Sequence, residues 1–213
     1  MLLALGGLKG GTGKTTLAAG LAAAAELRGA QVLLIDTTRS GDLAYWTQSS
    51  DGLPFACVHL PEQDAADPAK LCGLALGYQL TIIDCDAERG AVQQAVSAAS
   101  DLVVLPVGAS AMDVWGIGEA HAAWGLERSR VVCNGHDPRT RLGARLHEDL
   151  SRSGLPLVRS TVVRRSIHAE AMAFGSAAPY DDPHCLAALE LTALLDELRA
   201  QAHKVSDAGL RLH

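Results

Sequence analysis

Apolar residues fall in short unbroken runs, separated by longer stretches in which they recur every three to four positions. The runs at 2–5, 31–36, 55–60, 80–84, 102–107 and 130–134 predict strands. Val32-Leu33-Leu34-Ile35 and Leu102-Val103-Val104-Leu105 have no polar alternate position, the pattern of parallel strands covered by helices on both faces. The alanine- and leucine-rich stretches 15–28, 66–76, 91–99, 110–124 and 139–153 predict helices, with Gly29 and Gly154 as stops. The alternation predicts an α/β fold, a doubly wound and mostly parallel sheet flanked by helices, with ligands at the carboxyl ends of its strands. After Leu157 the pattern changes to a short helix over 167–174 and an amphipathic one over 185–204. That second helix carries Leu186, Leu189, Leu194, Leu195 and Leu198. Residues 1–204 are expected to form one domain and 205–213 a flexible tail.

The length of 213 residues is enough for one sizeable core. No apolar run approaches the roughly 18 to 20 residues of a membrane span. Residues 1–7 lead into a glycine-rich loop without the charged start and cleavage site of a secretory leader, so a cytoplasmic protein is expected. The five cysteines are odd in number and never spaced C-x-x-C, which favours small buried hydrophobes over a disulfide frame or a metal site. A net charge of −6 excludes a polybasic coat over the whole chain, although not a local basic patch.

Lys9-Gly10-Gly11-Thr12-Gly13-Lys14-Thr15-Thr16 lies between a predicted strand and a predicted helix. Glycines there let successive N–H groups wrap a phosphate, and the helix N-terminus adds its dipole. Lys14 would neutralise the β- and γ-phosphates of ATP, and the Thr15 hydroxyl would coordinate Mg²⁺. The usual loop has a glycine where this chain has Leu8, and here an extra lysine, Lys9, precedes the glycine pair.

On these residues the chain resembles the ParA/MinD family of ATPases with a deviant Walker A loop. It is most like the small ParF-like plasmid partition proteins, and the resemblance covers most of the chain. It implies that Lys9 reaches across a dimer to the nucleotide of the other subunit. Ile82-Ile83-Asp84 is similar to a Walker B strand, with Asp84 holding a Mg²⁺-bound water. Asp36, at the end of the second strand, matches the family's second acidic motif and is expected at the catalytic and metal site. The stretch 100–107 resembles the family's next strand, and Ser110-Ala111-Met112-Asp113 opens the following helix much as in ParF. Asn134 ends another strand where relatives present an asparagine to the adenine edge, and a turn or capping role fits it equally.

One departure bears on rate. The family's Asp-x-Asp-Pro-Gln is Asp36-Thr37-Thr38-Arg39-Ser40 here. Thr38 can bond a water but has no charge and is a poor base. ATP binding with slow hydrolysis is therefore expected, with Asp42 and Asp86 as acids that could compensate. A second feature is charge. Residues 128–165 hold nine arginines against three acids, a net +6 that leaves −12 on the remainder. Because relatives bind DNA without sequence preference through basic residues in this third, Arg159, Arg164 and Arg165 are the first candidates. Arg139, Arg141 and Arg145 come next. Pairing with the acidic remainder, or at a subunit interface, is the alternative.

The resemblance implies an ATP-dependent homodimeric switch, cytoplasmic and nucleoid-associated, that partitions a cargo such as a plasmid. Its partners would be non-specific DNA and a ParB-like or centromere-binding adaptor. A conjugation-associated DNA-processing role is a variant of this reading. A MinD-like membrane regulator is disfavoured because Ser206-Asp207-Ala208-Gly209-Leu210-Arg211-Leu212-His213 makes a poor basic amphipathic anchor. A metallocofactor ATPase would need converging thiols, and Cys85 and Cys133 lack partners at ligand spacing. A small-molecule kinase would need a lid or acceptor motif, which the sequence does not show. The histidines form no catalytic cluster, and Trp46, Trp115 and Trp124 read as core or dimer-contact aromatics.

Overall fold

The apolar runs do become strands. β1 (Leu2–Leu5), α1 (Lys14–Glu26), β2 (Val32–Asp36) and α2 (Asp42–Ser49) open the chain in a computed structural model. It describes residues 1–50, 53–87, 90–125 and 127–210, with 111–114 and 206–210 described by backbone alone. β3 (Ala56–His59), α3 (Glu62–Ala65), α4 (Pro68–Ala75) and β4 (Leu80–Asp84) follow. Next come α5 (Ala91–Ala99), β5 (Leu102–Val107), α6 (Ala111–Trp124), β6 (Ser129–His136) and α7 (Arg141–Ser151). β7 (Val162–Val163), α8 (Ser166–Ala173), α9 (Ala178–Asp181) and α10 (Leu186–Leu210) complete the order.

The strands form one seven-stranded sheet in the order β3-β2-β4-β1-β5-β6-β7, and every pairing is parallel. Side chains alternate between the two faces, which explains the doubly apolar runs. Leu3, Leu5, Leu34, Ile82 and Val104 face a core closed by α1, α2 and α10. Ala4, Ile35, Ile83, Val103 and Leu105 face another, closed by α3 to α7. From β1 the chain crosses to β2, and from β4 it crosses to β5 on the other side of β1. Neighbouring strands that send the chain in opposite directions leave a crevice at their carboxyl ends, where open α/β sheets bind ligands.

Four elements were not expected, and two others run past their expected ends. α2, α3, α9 and β7 are too short to stand out in the sequence. The strand expected at 130–134 extends to His136 because β7 continues its pairing. Leu186 and Leu189 are exposed, and the inner face of α10 is Leu191, Leu194, Leu195, Leu198 and Ala202. Half-buried Val205 continues that stripe against the core, so the helix does not stop at Lys204 but runs to Leu210. Residues 211–213 of the expected tail lie outside the described residues. No helix among the described residues is long and apolar enough to cross a membrane.

Candidate nucleotide site

β1, β2 and β4 deliver their last residues to the same level, with Leu5 beside Asp84 and Asp84 beside Asp36 in the register. The phosphate loop leaves β1 there. Gly6 starts it under the buried ring of Trp124, so close that a Cβ would lie 2.7 Å from an indole carbon. Gly13 ends it in the left-handed conformation (φ 82°) that starts α1, one that an L side chain rarely adopts. The first-turn amides of α1 have no partner within the helix and provide the anion site. Lys14 is nearly buried and donates from Nζ to the Lys9 carbonyl at 3.0 Å, curling the loop around its own ammonium.

The structure brings Thr15 and Asp84 together. The Thr15 hydroxyl donates to Asp84 Oδ2 at 2.6 Å. With its proton so directed, the lone pairs of Oγ1 remain for a cation in the cavity above the loop, which Thr15 lines together with Lys14 and Thr16. Asp84 lies behind Thr15, 1% exposed, and its Oδ1 has no hydrogen-bond partner. Burial above all pushes its carboxyl up to about 6. The Thr15 bond opposes that shift and neighbouring Asp36 adds to it. A buried acceptor in want of a donor beside an oriented hydroxyl fits Mg²⁺ and its bound water.

Asp36 does not fit the same role. It is fully buried and absent from the cavity lining. Its Oδ1 accepts from the Thr38 amide (2.9 Å) and hydroxyl (2.6 Å), and its Oδ2 accepts from the Ala44 amide (3.0 Å) in the first turn of α2. The geometry makes it the anchor of the loop 37–44 rather than a metal ligand. Thr38 also accepts from the Gly41 amide, so its hydroxyl belongs to the loop. His59 closes the arrangement from β3, with Nε2 2.9 Å from the Thr38 carbonyl and its ring against Gly41. His59 stands beside Asp36 in the strand register, a pairing that nothing in the sequence marks. Asp42 and Asp86 both line the cavity. Asp86 Oδ2 accepts from the Arg39 amide at 2.9 Å, a link between the β2 and β4 loops that the sequence did not reveal.

A second cavity of about 710 Å³ opens on the other side of the loop, at the ends of β5, β6 and β7. Asn134 lines it and donates from Nδ2 to the Thr12 carbonyl at 2.7 Å, so it braces the phosphate loop directly. Arg164 and Arg165 line the same cavity, and Arg165 pairs with Glu190 at 2.6 Å. Burial of His168 beside them lowers its pKa.

The other arginines divide in two. Arg139 is held by both oxygens of Asp137 at 2.9 Å, which keeps that carboxyl down at about 2, and Arg145 reaches Asp149 at 3.6 Å. Arg141 and Arg159 are exposed and pair with no acid among the described residues. Lys9 lies along α6, its Cε 3.2 Å from where a Cβ on Gly116 would stand. Cys85 and Cys133 are buried free thiols, and burial holds both well above the ordinary thiol range. Trp124 is core, Trp46 is half-buried and bonded to the Met172 carbonyl, and Trp115 is exposed.

The sequence is 27% identical over 182 residues to the maintenance of carboxysome distribution protein A of Halothiobacillus neapolitanus, covering 81% of this chain and 84% of that one. Two solved structures share the fold. The septum site-determining protein MinD of Pyrococcus horikoshii, complexed with Mg-ADP, matches at TM-score 0.74 and 18% identity over 92% of this chain and 95% of that one. A putative plasmid partition protein of Borrelia burgdorferi bound to AMPPNP matches at TM-score 0.71 and 15% identity, over 95% and 98%. Residues 3–178 match the model of the CobQ/CobB/MinD/ParA nucleotide binding domain, and the chain belongs to that family.

Proposed function

We propose that this protein is an ATP-dependent dimerising switch that positions a large cargo on DNA and hydrolyses ATP slowly. The observation that carries the reading is the 2.6 Å bond from Thr15 to buried Asp84 on a phosphate loop that also holds Lys9. Thr15 and Asp84 would hold Mg²⁺, which when bound neutralises charge developing on the β- and γ-phosphates. Lys14 exchanges its bond to the Lys9 carbonyl for the phosphates, and Asn134 keeps the Thr12 carbonyl in place beneath them.

Exchange at Lys14 frees the segment carrying Lys9. Lys9 then leaves its position along α6 for the nucleotide of a second copy, so that ATP stabilises the dimer by contacts ADP lacks. Turnover is slow because Thr38, whose hydroxyl serves the Asp36 loop, adds no carboxylate of its own beside the attacking water. Exposed Arg141, Arg145 and Arg159 contact DNA phosphates, whereas Arg164, equally exposed, and half-buried Arg165 line the cavity beside the phosphate loop and serve the nucleotide. The cargo class includes plasmids and, by likeness to the carboxysome distribution protein, large protein assemblies. An adaptor protein bound to that cargo accelerates hydrolysis and releases the dimer.

The test is retention of a mixed-sequence duplex across a salt series with ATP, ADP and no nucleotide. Retention only with ATP, weakening steeply with salt, supports the switch. Equal retention in all three states, or none in any, refutes the DNA-positioning role.

A further inference from the structure

Hydrolysis of ATP requires an acceptor that directs the O–H of the attacking water, and a fixed carboxylate is the strongest available. Thr38 is committed to Asp36 and the Gly41 amide. Asp36 lies out of the cavity with both oxygens occupied. Two carboxylates remain among the described residues lining the phosphate cavity, Asp42 and Asp86. They are held very differently. Asp42 is exposed, and its Oδ2 accepts from the hydroxyl of equally exposed Ser40. Asp86 is half-buried, two residues beyond Asp84, and a backbone donor, the Arg39 amide, fixes its Oδ2. Its Oδ1 makes no hydrogen bond among the described residues.

We infer that Asp86 is the catalytic carboxylate of this chain, its free oxygen accepting a hydrogen bond from the attacking water in the cavity above Lys14 and Thr15. The inference rests on the ATPase reading above. In the step it serves, the water oxygen forms a bond to the γ-phosphorus as the bond from that phosphorus to the β–γ bridging oxygen breaks. ADP leaves with that electron pair, and the proton lost on forming orthophosphate passes to solvent. Asp86 is a carboxylate before and after. The Arg39 amide is the positioning group, because it joins the β2 loop to the β4 loop through this same carboxylate.

Asp86→Asn isolates the charge, since the amide oxygen of Asn still accepts from the Arg39 N–H. The full chain is assayed for Mg–ATP turnover and, separately, for equilibrium binding of a fluorescent ATP analogue. Asp86→Asn is expected to lower kcat at least about tenfold while the Kd stays within about threefold. Adding Thr38→Asp to Asp86→Asn is expected to restore turnover, because a carboxylate returns to the same cavity. Unchanged kcat in Asp86→Asn overturns the inference, and so does loss of analogue binding, which would make Asp86 a support of the loop. Wild-type protein that binds no ATP analogue overturns the nucleotide reading itself, a result distinct from either.

Discussion

Replacing Asp84 by Asn removes a buried charge whose energy follows from its surroundings. Asp84 is 1% exposed, and its carboxyl is pushed up to about 6 from an ordinary 3.8, burial being the largest cause. The shift of roughly two units corresponds to about 3 kcal/mol between the two protonation states at about 1.4 kcal/mol per unit. In the unfolded chain this group loses its proton near pH 4, whereas in the folded protein it keeps the proton to about pH 6. Stability from this group is therefore intact in acid and is lost as pH rises between those values.

Urea unfolding of wild type and Asp84→Asn, without nucleotide or Mg²⁺, should show the wild type losing about 2 kcal/mol relative to the variant between pH 4 and pH 7. Hydrogen-bond differences between Asp and Asn are independent of pH and cancel in that comparison. A gap that stays constant would refute the assignment of Asp84 as the buried carboxylate that a cation must compensate. With ATP present, Mg²⁺ should raise the stability of wild type by mass action and leave Asp84→Asn unchanged.

Asn134→Ala removes the brace on the Thr12 carbonyl and should weaken ATP affinity by about 1 kcal/mol, roughly fivefold, in a titration with a fluorescent ATP analogue. Arg164→Ala with Arg165→Ala should weaken the same binding and leave DNA retention per dimer intact, since both residues line the nucleotide cavity. Arg141→Ala, Arg145→Ala and Arg159→Ala together should do the reverse, flattening the salt dependence of retention by roughly three phosphate contacts. Thr38→Asp should raise turnover about tenfold in a phosphate-release assay, and an unchanged rate would show that a second carboxylate beside the attacking water does not speed hydrolysis.

The sheet was legible because burial on both faces writes itself as unbroken apolar runs, and β1, β4 and β5 fall where those runs do. The phosphate loop was legible because a close backbone wrap demands glycines and a terminal Lys-Thr in fixed order. What local pattern could not show is where a carboxylate turns. Asp36 and Asp84 end neighbouring strands at the same level, yet one faces a loop amide and hydroxyl while the other faces Thr15. Only the packing of α2 and the loop 37–44 separates their roles.

The arginines show the same limit. A window of nine reads as one basic patch, but its members end on different surfaces. Arg139 and Arg145 meet acids two and four positions away, and Arg165 meets Glu190 across the chain. α10 outran its expected end for a related reason. Its buried stripe is set by contact with α1, where Gly20 admits Leu191 so closely that a Cβ there would lie 2.8 Å away. That contact is invisible in either helix alone.

The most direct measurement is the mass of the protein by light scattering after gel filtration, for wild type and Lys9→Ala, each with Mg–ATP and with Mg–ADP. Wild type should be dimeric with Mg–ATP and monomeric with Mg–ADP. Lys9→Ala should remain monomeric in both while still binding the ATP analogue. A wild-type mass that does not respond to the nucleotide, or a Lys9→Ala protein that dimerises normally, would contradict the coupling of the phosphate loop to assembly.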